Sequence, residues 1–92
     1  MSNSVQIARE LAEIIKNIPE IKEFLRIKEL YENNEELENL RKELALRKQN
    51  NELEKYNTLK EMYDNNPLVV NYNNLREEAY EILKEITSYI NI

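Results

Sequence analysis

The stretch NNPLVV at residues 65–70 opens a helix, and the pattern that follows it decides the fold. Pro67 suits the first helical position, where its missing N–H has no role, and Asn65 or Asn66 can cap the helix. Apolar side chains then recur at alternating steps of four and three residues, at Leu68, Tyr72, Leu75, Ala79, Ile82, Ile86 and Tyr89. Such a repeat keeps one apolar stripe facing one partner. We predict one continuous C-terminal helix whose stripe is covered by the preceding helices or by a second copy.

Composition points to one all-α domain over residues 1–92. The chain has no glycine and two prolines, so tight hairpin turns that need a positive φ are hard to build. Leucine, glutamate, lysine and isoleucine recur instead at helical spacing. We therefore predict a small helical bundle of about four helices, with a long third helix and a long C-terminal helix.

Two boundaries precede the C-terminal helix. The first helix is expected over residues 5–17, with an apolar stripe, and it ends because the residue before Pro19 is pushed out of the α region. Pro19 begins the second helix, and Asn34 is a candidate cap for the third. We also expect the end of the chain, residues 88–92, to be packed, because it is apolar to its last position.

The third helix has two interpretations. Its apolar stripe begins after Glu35, falters between Arg47 and Glu52, and resumes out of phase at Leu53. Either one helix of about thirty residues contains a stutter, or two helices meet at a polar joint near Asn50 and Asn51. No glycine or proline enforces a stop there, and we favour one long helix, bent at the joint.

The side chains available exclude most enzyme classes. The chain lacks histidine, cysteine, tryptophan and glycine, which removes most acid–base groups active near neutral pH, thiol nucleophiles and glycine-rich phosphate loops. Carboxylate pairs such as Glu77 and Glu78 fit solvated helix faces better than a di-metal site, which normally adds histidine. We predict no enzymatic activity, no catalytic or metal-binding residues and no cofactor.

The six tyrosines and the apolar stripe of the C-terminal helix supply the candidate interaction residues. Tyrosine at the edge of a core lets its hydroxyl reach water, but tyrosine is also enriched at protein interfaces. The candidate interface residues are Tyr31, Tyr56, Tyr63, Leu68, Tyr72, Leu75 and Tyr89.

Charge argues against a nucleic-acid-binding protein as the first choice. The net charge is −5, and an acidic surface repels phosphate. The densest basic group is Arg41, Lys42, Arg47 and Lys48, but glutamates interleave with it. A solvated mixed-charge helix face is the simpler interpretation, and direct binding of RNA by this face is the alternative. The chain shows no signal peptide and no membrane span, which favours the cytoplasm.

Short elements along nearly the whole chain resemble the YlbF/YmcA-like family of small bacterial helical proteins. The most specific is NPLV at residues 66–69, followed by Tyr72 and a helical run to Ile90. In the N-terminal half, ARELA at residues 8–12, EFLR at 23–26 and NEEL at 34–37 follow the family's order of elements. The family also varies around a polar joint in mid-chain, as at residues 48–52 here.

The resemblance implies a non-enzymatic regulator that associates as dimers or larger assemblies. Better-known members form a complex that assists a membrane-associated endoribonuclease in mRNA processing, and so affect competence, sporulation and biofilm formation. Some members hold iron–sulfur clusters through cysteines, a property that does not carry over to a chain without cysteine. Our hypothesis is a cytoplasmic adaptor, first a homodimer, with other family members or an RNA-processing complex as further partners. The alternatives are an RNA-associated accessory factor and a structural paralogue of the family.

Overall fold

The computed structural model describes residues 2–90, and within them the chain folds into five α helices and no strand. The helices are α1 (Ser2–Lys16), α2 (Pro19–Glu32), α3 (Glu35–Gln49), α4 (Leu53–Asp64) and α5 (Pro67–Ile90). The predicted all-α class is confirmed. The first helix begins three residues earlier than expected, and the predicted continuous C-terminal helix is α5.

Three helix starts lie where the sequence predicts them. Pro19 is the first residue of α2, after an extended Ile18. The side chain of Asn34 accepts a hydrogen bond from the Leu37 backbone N–H at 2.9 Å and caps α3. Asn66 Oδ1 accepts from the Leu68 N–H at 2.9 Å, which identifies Asn66 as the asparagine that caps α5. Each cap satisfies a backbone donor that has no partner inside its helix.

The favoured long third helix is wrong, because the chain turns between Gln49 and Leu53. Asn51 adopts a φ of 57°, a left-handed conformation that asparagine tolerates better than most residues. The Glu52 N–H donates to the Arg47 carbonyl at 2.9 Å and the Asn51 N–H donates to the Lys48 carbonyl at 3.2 Å. This is the Schellman pattern that ends helices, with asparagine in place of glycine. The predicted count of about four helices is therefore corrected to five in the described chain.

The helices pack as two pairs. α2 packs along α5 and α3 packs along α4, while α4 also contacts α5 and α1 contacts α2. The assembly is elongated, with principal dimensions of 54 × 25 × 25 Å. The buried apolar side chains are Ile21, Ile27, Leu37, Leu44, Val69 and Ala79. They come from α2, α3 and α5, so the core lies within and between the two pairs.

Both ends of the described chain are poorly covered. Apolar side chains of the stripe predicted for α1 are exposed, with Val5 at 53% and Leu11 at 36%, whereas Ile15 is half-buried. Ser88 and Tyr89 are also exposed, contrary to the expected packing of the C-terminus, and Asn91 and Ile92 lie outside the described residues. None of the helices described is long and apolar enough to cross a membrane.

Candidate protein-interaction site

An aromatic stack joins α2 to α5. The rings of Tyr31 and Tyr72 lie parallel, with centroids 4.1 Å apart and an interplanar angle of 1°. Phe24, two turns earlier on α2, places its ring 5.7 Å from the ring of Tyr72. Residues 24 and 31 are seven apart, which puts both on the same side of α2. Tyr72 therefore packs against one face of α2 through two aromatic neighbours.

Polar groups from α3 and α4 complete this cluster. The hydroxyl groups of Tyr31 and Tyr63 share a hydrogen bond. Arg41 donates from Nη1 to the Tyr63 hydroxyl at 3.5 Å, and its guanidinium carbon lies 5.1 Å from the centroid of the Tyr31 ring, within reach of a cation–π interaction. We call Phe24, Tyr31, Arg41, Tyr63 and Tyr72 the tyrosine cluster. It connects α2, α3, α4 and α5.

The environment of the tyrosine cluster favours neutral Tyr31. Burial raises the pKa of the Tyr31 phenol, and its hydrogen bond with Tyr63 raises it further, whereas the Arg41 charge acts in the opposite direction. The hydrogen bond to Tyr63 raises the pKa of Arg41. A phenol held neutral beside a cation is a structural contact, and it offers no general base near neutral pH.

Three of the seven candidate interface residues, Tyr31, Tyr63 and Tyr72, are thus brought together inside one copy of the chain, where each is half-buried. The other four are distributed over α4 and α5. Tyr56 on α4 and Leu68 and Leu75 on α5 are half-buried, and Tyr89 is 77% exposed. A contact of these residues with a second protein stays a prediction.

An exposed apolar surface on α1 was not among the interface sites predicted from the sequence. The exposed side chains, which we call the α1 face, are Val5, Ile7, Leu11 and Ile14. Ile7 and Ile14 lie outside the predicted stripe and widen it. The width of the apolar arc on α1 was the signal in the sequence that could have indicated this surface, because a helix with one neighbour needs a narrower apolar arc.

The basic group around α3 is mostly engaged within the molecule. Arg41 belongs to the tyrosine cluster, and Lys42 pairs with Glu38 at 3.4 Å. Arg47 bridges to Glu52 at 2.7 Å, and this hydrogen bond raises the pKa of Arg47 and lowers that of Glu52. Lys42 is exposed, as the predicted solvated mixed-charge face requires. Arg41 is half-buried, which that prediction did not include.

Acidic side chains are numerous but scattered. Among the residues that the structure describes, no three histidine, cysteine, aspartate or glutamate side chains come close enough together to hold a metal ion.

Comparison with known proteins identifies the family. The family described as control of competence regulator ComK, YlbF/YmcA, matches residues 5–91, a span that includes nearly all of α1 and the whole of α2 to α5. No curated protein and no solved structure matches the chain. The match confirms the resemblance that the NPLV element and the order of the helices predict. The chain belongs to the YlbF/YmcA family of control-of-competence regulators.

Proposed function

We propose that this protein is a non-enzymatic regulator that acts through contacts between helices, first with a second copy of itself. Membership of a family of competence regulators supports the regulatory role. The residue types also support it, since the chain has no histidine and no cysteine to serve as acid, base or nucleophile.

The exposed α1 face is the observation that supports self-association most directly. Ile7 is 62% exposed and Ile14 is 64% exposed, and they share a helix with exposed Val5 and Leu11. Clustered apolar side chains on a surface mark interaction sites, whereas single ones are ordinary. A helix of this length is also marginal in water unless tertiary contacts support it. A partner that covers α1 would supply those contacts.

The further partners follow from the family. We propose that the protein works in the cytoplasm with other family members or with a complex that processes mRNA. In this proposal the dimer is an adaptor, and its effect on competence, sporulation or biofilm formation passes through the proteins that it binds.

An RNA-associated factor is the alternative, and the charges argue against it. Phosphate binding needs basic side chains that can turn toward the ligand. Arg41 and Arg47 instead hold contacts with tyrosine and glutamate inside the molecule. Salt-dependent binding of a short single-stranded RNA would favour the alternative, and no binding at low salt would remove it.

Sedimentation equilibrium at micromolar concentration tests the proposal. The expected mass is twice the 11.1 kDa of one chain. A monomer over the whole concentration range would contradict self-association. Affinity purification from the native host then tests the adaptor role, because the proposal expects RNA-processing proteins among the partners, and their absence would contradict it.

A further inference from the structure

We propose that α1 and the C-terminal segment of α5, residues 80–89, pack together against the same two elements of a second copy, so that the dimer interface is a four-helix contact. This inference rests on the proposed self-association and adds its geometry. Its occupant is a second copy of this chain.

The two elements leave the molecule at the same end. Glu20, at the start of α2, lines the same groove as Ile82 of α5. Because this groove is lined on α5 from Asn74 to Ile82, α2 begins no farther along α5 than Ile82, and the rest of α5 extends beyond α2 by at least about 12 Å. α1 joins α2 at this same end, through Asn17 and Ile18. Exposed Leu83 and Tyr89 on α5 therefore lie toward the end of the molecule where α1 joins α2.

One neighbouring helix cannot cover the α1 face. At about 100° per residue, the side chains from Val5 to Ile14 occupy an arc of about 180° around α1. A single helix partner covers a stripe of about 100°. α1 therefore needs two neighbours, and its contact with α2 leaves the face exposed.

The area that a stable interface must bury also favours the inclusion of α5 in the contact. α1 is about 22 Å long, and half of the surface of a helix about 10 Å across and of that length is about 350 Å². Two α1 faces packed only on each other would bury about 700 Å², less than the roughly 1,200–2,000 Å² of specific interfaces. The C-terminal segment of each copy adds about 250 Å², which brings the total to about 1,200 Å².

The charged residues that border the two apolar surfaces indicate that α1 packs beside α5 of the second copy. Arg9 and Lys16 lie along one edge of the α1 face, while Glu78 and Glu85 lie along one edge of the apolar stripe of α5. From its N-terminus to its C-terminus, α1 points toward the rest of the molecule, whereas the end of α5 points away from it. A two-fold axis perpendicular to these two helices reverses their directions in the second copy. It therefore places α1 of one copy parallel to α5 of the other. In a parallel pair with Ile7 beside Leu83, Arg9 lies level with Glu85 along these facing edges, and opposite charges across an interface fix orientation.

Cysteine cross-linking tests this geometry cleanly, because the natural chain has no cysteine. The parallel arrangement brings Ile7 of one copy near Leu83 of the other, and Ile14 near Tyr89. Ile7→Cys and Leu83→Cys are made as separate proteins, one with a mass tag, then mixed and oxidised. We expect the tagged–untagged disulfide to form severalfold faster than with Met62→Cys, a matched control at an exposed apolar position of α4.

The outcomes separate this inference from the proposed function. If the natural protein is a dimer but Ile7→Cys and Leu83→Cys cross-link no faster than the control, the geometry is overturned and self-association stands. If the natural protein is a monomer, both are overturned.

Equilibrium dissociation gives a second readout. Ile14→Lys should raise the dimer dissociation constant at least tenfold, whereas Met62→Lys should leave it unchanged. Arg9→Glu should weaken the dimer, and the added Glu85→Arg should restore it at least partly. No change with Ile14→Lys would overturn the inference.

Discussion

Replacing Tyr31 tests whether the tyrosine cluster holds the two helix pairs together. Tyr31→Phe keeps the ring stack on Tyr72 and removes the hydrogen bond with Tyr63. The Tyr63 hydroxyl keeps its contact with Arg41, so the expected loss is about 1 kcal/mol, the usual net contribution of one hydrogen bond. Tyr31→Ala removes the ring as well.

The ring sets the size of the second effect. Truncation of a fully buried aromatic side chain costs about 3–5 kcal/mol, and the half-buried position of Tyr31 reduces this to about 2 kcal/mol. With the hydrogen bond added, we expect Tyr31→Ala to lower the free energy of unfolding by about 3 kcal/mol. In a domain of this size that is a fall in Tm of roughly 12–24 °C, against about 4–8 °C for Tyr31→Phe.

Urea unfolding followed by circular dichroism measures both variants, at one fixed protein concentration because self-association would add to stability. Met62→Ala is the control, since Met62 precedes Tyr63 on α4 and is 58% exposed, and its cost should stay within about 0.5 kcal/mol. If Tyr31→Ala and Tyr31→Phe destabilise equally, the stack on Tyr72 contributes nothing and the reasoning is refuted.

Four further predictions follow from single residues. Leu37→Ala, at a side chain with 0% exposure, should lower the free energy of unfolding by about 2–5 kcal/mol, while exposed Leu46→Ala on the same helix should lower it by less than about 1 kcal/mol; urea unfolding compares them. Asn51→Ala should cost about 1 kcal/mol and Asn51→Gly should not destabilise, because only alanine resists a positive φ; thermal melts showing equal costs would contradict this. The pKa of Tyr31 is raised in the folded protein, so the stability from its neutral phenol is complete below the ordinary pKa of 10.0 and is lost as pH rises through the higher folded pKa. The free energy of unfolding, measured above pH 10, should therefore fall less steeply with pH for Tyr31→Phe than for the natural chain. Leu75→Asp places a charge in the covered stripe of α5 and should lower the Tm severely, and a variant that melts with the natural protein would show that the stripe is not covered.

Helix starts could be predicted because single residues determine them locally. Pro19 and Pro67 fix φ at the first helical position, and Asn34 and Asn66 bring a side-chain acceptor to an unpaired N–H. The break at Asn51 was the interpretation that the sequence did not favour, because the left-handed asparagine and the packing of α3 against α4 are not marked by any local residue type. The preceding sequence has no residue that forbids a continuous helix.

The candidate site was predicted only in part, for a similar reason. Helical spacing places Tyr31 and Tyr72 on the faces of α2 and α5 that meet, so their burial could be expected. The approach of Arg41 and Tyr63 depends on how the α3–α4 pair lies against the α2–α5 pair, which no local pattern encodes. On α1, the spacing of apolar residues gives the helix correctly but cannot tell whether its neighbour belongs to the same chain.

The pairing of α2 with α5 has a kinetic consequence, because the whole α3–α4 hairpin lies between them in the chain. α3 and α4 are joined by a three-residue turn, so their docking closes a short loop and carries little entropic penalty. Docking of α2 on α5 must close a much longer loop, and proteins whose contacts lie far apart in sequence fold more slowly. We therefore expect the hairpin to collapse first and to act as the template on which the outer pair assembles, so that a tighter turn at Asn51 speeds the refolding of the whole chain.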